Sequence, residues 1–162
     1  AEGGVMDSIM TGYRDALVRG GKTDAQLGEG LSVGFHFHLA PTVEQAIKES
    51  KSFYEENLKM FGPLRLHRGL TDEQIEIMGD PRRAPDGGLP SIEDAVKSQA
   101  FLAGPPERII EQLKSVEKEY PALERIGVSH PMGTPQSVIT EQLEWFGKEV
   151  MPAFKGKVGA NA

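Results

Sequence analysis

The chain has 162 residues, 38% hydrophobic and 26% charged, a balance that suits one globular domain and excludes wholesale disorder; no apolar run is long enough for a membrane span. Its formal charge of −6 opposes nucleic-acid binding, because neutralising phosphates takes clustered Lys and Arg. Cysteine is absent, which excludes disulfides, zinc–cysteine sites, iron–sulfur ligation and thiol nucleophiles, and a cytoplasmic location is expected.

From Val5 to Arg19, apolar residues at Val5, Ile9, Tyr13, Ala16 and Leu17 predict a helix, stopped by Gly20-Gly21. Leu31 to Ala40, rich in aromatic and aliphatic residues between Gly30 and Pro41, predicts a strand. Thr42 reads as an N-cap with Gln45 completing a capping box, and the stripe Val43, Ala46, Ile47, Tyr54, Leu58 and Phe61 continues that helix. Gly62 to Pro90 is a loop-rich insertion with one short helix at Thr71 to Met78. A helix over Ser91 to Gln99 precedes a brief strand, Ala100 to Ala103, and a turn at Gly104-Pro105-Pro106-Glu107. Ile109, Ile110, Leu113 and Val116 then mark a helix, Leu123 to Ser129 a strand, and Thr134-Pro135 opens a last helix to about Val150, with Val138, Leu143, Trp145, Phe146 and Val150 apolar and Pro152 beyond its end.

Repeated strand-then-helix units predict an α/β fold with parallel strands covered by helices, one domain over residues 1–162. The first helix has no strand before it, so the array begins in mid-unit and an amino-terminal part of a larger α/β domain is expected.

Ligands of parallel α/β folds gather at the carboxyl ends of strands. Side chains alternate along a strand, so Phe35, Phe37 and Leu39 share the face expected under helices, while His36 and His38 share the other, interior face. A His-x-His pair at a strand end also fits a metal-dependent hydrolase, although only His67 and His130 remain as further imidazoles. His130, after the last strand, suits a general acid or a ligand donor, and a plain turn residue is the bland alternative. Arg65, His67, Arg68, Arg82 and Arg83 concentrate positive charge that either meets an anion or is solvated. Gly104 to Glu107 is either an anion site at a helix start or a tight turn. No nucleophile elbow or phosphate-binding loop is present, and residue chemistry alone fixes no mechanism.

Three passages together resemble the carboxyl-terminal half of bacterial luciferase-like flavin-dependent monooxygenases: Phe37-His38-Leu39-Ala40-Pro41-Thr42-Val43-Glu44-Gln45-Ala46, the Gly104-Pro105-Pro106-Glu107 turn with its Ile-rich helix, and Leu143-Glu144-Trp145-Phe146-Gly147-Lys148-Glu149-Val150-Met151-Pro152. The opening helix with Tyr13-Arg14-Asp15-Ala16 fits as well. The resemblance implies part of a (β/α)8 TIM barrel with flavin at the strand ends. It implies oxygenation of a small organic substrate by O2 and reduced FMN supplied by a flavin reductase, or deazaflavin-dependent hydride transfer in a related branch. It further implies that residues 62–90 form a lid and that most cofactor contacts lie in an amino-terminal half outside this sequence. His36, His38 and His130 are then pocket candidates, the catalytic residues stay unassigned, and no tightly bound flavin is expected on this chain alone. Its partner is the missing barrel half or a second chain, with self-association expected; a non-catalytic half-barrel subunit is the alternative.

Limited proteolysis is expected to cut first between Gly79 and Pro90, where Gly, Pro, Asp and Arg replace core-forming residues. Mass analysis of the first fragments checks it, and initial cleavage elsewhere opposes the loop reading.

Overall fold

A computed structural model describes residues 5–62, 64, 70–78, 80, 82–83 and 88–154. The central strand β1 (Ser32–Leu39) pairs in parallel with β2 (Phe101–Gly104) on one side and β3 (Arg125–Ser129) on the other. Helix α1 (Val5–Arg19) precedes the sheet; α2 (Val43–Phe61), α3 (Asp72–Met78) and α4 (Ile92–Lys97) link β1 to β2. Helix α5 (Pro106–Glu119) links β2 to β3, and α6 (Gln136–Trp145) follows β3. No helix among the described residues is long and apolar enough to cross a membrane. The insertion falls partly outside the described residues, and so do Arg65, His67, Arg68 and most of the stretch from Gly79 to Gly87.

The α/β class with parallel strands is as the sequence predicts. The sheet order, β2-β1-β3, is not that of a partial TIM barrel, in which consecutive units would place β2 beside β3. The chain steps from β1 to one neighbour and then back across β1 to the other. Right-handed crossovers in opposite directions put the connecting helices on opposite faces. One layer packs Phe35, Phe37 and Leu39 against Ile109, Leu113 and Val116 of α5, with Met10 of α1 and Phe146. The other packs Phe101 and Ala103 against Ala46 of α2 and Ile92 and Val96 of α4. The alternation read from β1 thus decides the first core, while the second is built from β2, α2 and α4.

Local signals explain the ends. Thr42 Oγ1 accepts the Gln45 N–H at 3.1 Å, as expected, but the Gln45 side chain turns to Glu49 at 2.8 Å rather than closing a box. The reciprocal box is at Ser91 and Asp94, which starts α4. Gly104 has φ +122°, and a Cβ there would come within 3.0 Å of Val43 and 3.1 Å of Arg108, so the passage into α5 is a tight turn that needs glycine.

Two stripes differ from expectation. In α1 the buried residue is Met10, while Ile9 and Tyr13 are 43% and 39% exposed, because the helix meets the core through Met6 and Met10, one turn apart. At the other end, α6 does not run on to Val150. A π-turn over Phe146–Val150 and a 3-10 turn over Met151–Ala153 follow Trp145, and Pro152 lies inside that last turn. The wide turn lets Phe146 stack on Phe37 at 4.9 Å and buries Val150, while Leu143 stays exposed.

One buried contact ties α6 to the sheet. β3 pairs with β1 only as far as His36, leaving Leu39 without a strand partner on that side. The Gln142 amide takes that place: its Oε1 accepts the Leu39 N–H at 2.6 Å and its Nε2 donates to the Leu39 carbonyl at 2.9 Å. Gln142→Leu leaves both backbone groups buried and unsatisfied, and a loss of roughly 2 to 6 kcal/mol is expected at about 1 to 3 kcal/mol per group. Urea unfolding followed by circular dichroism checks this, and a loss under half a kilocalorie, roughly that of a neutral surface change, would reject the clamp.

Candidate functional site

The carboxyl ends of β1 and β3 open onto two clefts. The first, about 590 Å³, lies between the end of α2 and the loop after β3, and is lined by His36, Asn57, Phe61, His130, Met132 and Ile139 among others. The Asn57 Oδ1 accepts the Met132 N–H at 3.1 Å, and Thr134 Oγ1 donates to the Pro131 carbonyl at 2.7 Å, so this loop is stitched both to α2 and to itself. The second cleft, about 530 Å³, lies between α2 and α6 and is lined by His38, Gln45, Glu49, Phe53, Glu141 and Trp145 among others.

The three histidines expected to share a pocket therefore divide. His36 and His130 meet at the first cleft, and His38 belongs to the second. His36 points toward β3, its Nδ1 3.2 Å from the Ser129 hydroxyl. His38 is buried, with Nε2 3.0 Å from Glu49 Oε2. The Gln45 amide, and behind it His38, hold the Glu49 carboxyl below the usual carboxylate range against a smaller opposing effect of burial. An ionised Glu49 accepts the Nε2 proton, which leaves Nδ1 as the basic nitrogen of His38. This His–Glu pair was not legible in the sequence, because the helical spacing of Glu49 resembles that of any solvated glutamate.

His130 is the least ordinary of the three. Its ring lies on Phe37 at 4.5 Å between centroids, and both ring nitrogens are inaccessible to solvent, with the Phe37 backbone as their polar neighbour. Burial, and then the proximity of His38 and His36, press its pKa below the ordinary histidine value of 6.5, so the ring is neutral at pH 7. A neutral imidazole has one donor and one acceptor, and here both are turned into the protein rather than toward the cleft.

The other candidates resolve more simply. Among the described residues no group of three or more His, Asp and Glu converges on a point, and His36 and His38 turn to Ser129 and Glu49 rather than to a common ion. Arg82 and Arg83 are exposed turn residues beside Asp80, whose Oδ1 accepts the Arg82 N–H. The Asn57 contact and the Gln142 clamp, which hold the two clefts in place, carried no sequence signal beyond a polar residue in an amphipathic helix.

Because the folded state lowers the His130 pKa, the unfolded chain takes up its proton first as pH falls. The neutral ring's contribution is complete above pH 6.5 and is lost as pH drops toward the folded value. Nuclear magnetic resonance titration is expected to place the His130 midpoint below 6.5, and His130→Phe to reduce the drop in melting temperature between pH 7 and pH 5. A midpoint above 6.5 would reject the buried, neutral ring.

No family model matches this chain, and no curated protein matches it either.

Proposed function

We propose that this chain is the carboxyl-terminal part of a luciferase-like flavin-dependent oxidoreductase acting on a small organic substrate, with its activity dependent on an amino-terminal half. The observation that carries the reading is the convergence of two elements of the resemblance: the β1-to-α2 passage and the Gly104-Pro105-Pro106-Glu107 turn lie at the carboxyl ends of neighbouring parallel strands. The first cleft is within the size range of small-molecule pockets, roughly 300 to 1,000 Å³, and combines apolar walls with a few polar groups.

The lining suits a flat heteroaromatic ring. Phe61, Met132 and Ile139 supply apolar contact, and the neutral His130 ring lines the same cleft with both of its nitrogens turned away from solvent. No cation lines this cleft among the described residues, so contacts to a cofactor phosphate fall to the rest of the protein. A reduced flavin, when bound, supplies the electrons and the oxygen chemistry. The part of this chain is to seat the ring against the uncharged His130 imidazole and to exclude water with Phe61 and Met132. In a barrel β3 would leave the edge of β1 to lie beside β2; in our reading that change accompanies joining with the amino-terminal half.

Joining this chain to the product of the upstream coding sequence, or expressing the uninterrupted gene, is the direct test. Reduced FMN and a reduced deazaflavin are each titrated anaerobically, followed by oxygen uptake. The joined protein is expected to bind one of the two, with about tenfold weaker affinity in Phe61→Ala, matching the loss of most of a phenyl ring's apolar contact. A joined protein that binds neither flavin overturns the reading.

A further inference from the structure

The outer strand of the sheet carries a pattern that reads alike in both directions. β3 lies at the edge, and no described strand covers its far side. The Glu124 N–H donates to the Leu31 carbonyl at 3.4 Å, which sets the backbone parity. Alternate residues of a parallel strand turn their N–H and C=O groups to opposite sides, so Ile126 and Val128 serve β1 while Arg125, Gly127 and Ser129 direct theirs outward. These three residues are exposed. The side chains of Ile126 and Val128 border an apolar groove of about 510 Å³, completed by Leu143, Phe146, Met151 and Phe154. Within it Leu143 and Met151 are 47% and 48% exposed.

We propose that a second copy of this chain occupies this edge, the two β3 strands pairing antiparallel about a two-fold axis at Gly127 to make one six-stranded sheet. The register follows from the strand itself. Outward-facing groups oppose one another for an axis at any residue from Arg125 to Ser129, but only at Gly127, the midpoint of β3, does the pairing use the whole strand. At Arg125 it would oppose two guanidinium groups. At Ser129 it would run the pairing into Pro131, which has no N–H. At Gly127, Arg125 faces the partner's Ser129, the two Arg125 side chains stand about 14 Å apart along the strand, and Ile126 faces the partner's Val128 on the groove side.

Gly127 leaves the axis open. A Cβ at this position would meet only the Val33 carbonyl, at 3.9 Å, so the described chain does not itself demand glycine there. The edge has no Lys, Pro or bulge, and its single charge, Arg125, lies at one end of the strand. A strand edge alone is small beside the roughly 800 Å² per partner of a stable interface, and the apolar groove supplies the remaining contact. The pairing does not depend on the flavin reading, and it is tested without flavin.

Sedimentation velocity on the intact chain is expected to show a dimer. The double substitution Leu143→Glu with Met151→Glu, at two exposed positions, is expected to raise the dimer dissociation constant at least tenfold. Hydrogen exchange of wild-type protein is expected to show the Arg125, Gly127 and Ser129 amides gaining protection as concentration rises. The chain has no cysteine, so Gly127→Cys with a short bifunctional thiol reagent reports the axis directly, with Gly12→Cys on α1 as control. At least tenfold faster cross-linking from position 127 supports the pairing. A monomer at all concentrations, exchange of those three amides independent of concentration, or equal cross-linking from both positions overturns it, the last two by assigning any dimer to another face.

Discussion

β3 ends at Ser129 opposite His36, while β1 continues to Leu39, and this mismatch in length shapes the functional end of the molecule. A longer β3 would cover the side of β1 along its whole length and bring the following loop out above the sheet. Because it stops early, the chain turns beside Phe37, and the His130 ring comes to rest on that side chain. The backbone groups of Leu39, left without a strand, are met by the Gln142 amide, which draws α6 across the gap. Cleft and clamp thus have one cause. Neither the π-turn after Trp145 nor the burial of Phe146 against Phe37 is independent of it, since both depend on where α6 is anchored.

The electrostatics of the site follow from the same placement. His36 and His38 point to one side of β1 and find polar partners in Ser129 and Glu49. His130 lies over the aromatic side chain between them in sequence, where desolvation opposes charge and two neighbouring imidazoles reinforce that effect. A protonated His130 would need an acceptor or a carboxylate close by, and the described lining of its cleft contains no carboxylate. The first cleft is therefore suited to an uncharged ligand surface, whereas Glu49 gives the second cleft an ionisable group.

Much of this was legible from residue order. Alternation along β1 told which side chains enter the α5 layer, since Phe35, Phe37 and Leu39 all stand on one face of the strand. The Thr42 cap and the Gly104 turn were legible because each rests on local stereochemistry. The sheet order was not: a strand-helix-strand unit fixes handedness but does not tell which edge the next strand will join, so stepping on and doubling back look the same in sequence. The grouping of the histidines failed for a related reason. Sharing a strand face is local information, but the partners that separate His36 from His38 come from α2 and β3, and His130 reaches the site only through the early end of β3. Gln142 was passed over because one buried polar residue in an amphipathic helix looks like an exposed one until its backbone partners are known.

The outer edge of β3 connects the two proposals. Completion of a barrel and pairing with a second copy both draw on the outward backbone groups of Arg125, Gly127 and Ser129, and a strand edge accepts one neighbour at a time. The two associations are consequently exclusive on this strand. The sheet of the separate chain already uses the inner edge of β3 to cover β1, a pairing that a barrel would have to break in favour of β2. An amino-terminal half must therefore compensate for the lost β1–β3 ladder as well as for any dimer contact, whereas a second copy adds its hydrogen bonds to a sheet left intact. Energetically, the dimer is the smaller step from the observed fold, and joining with another half requires that half to offer the larger apolar surface.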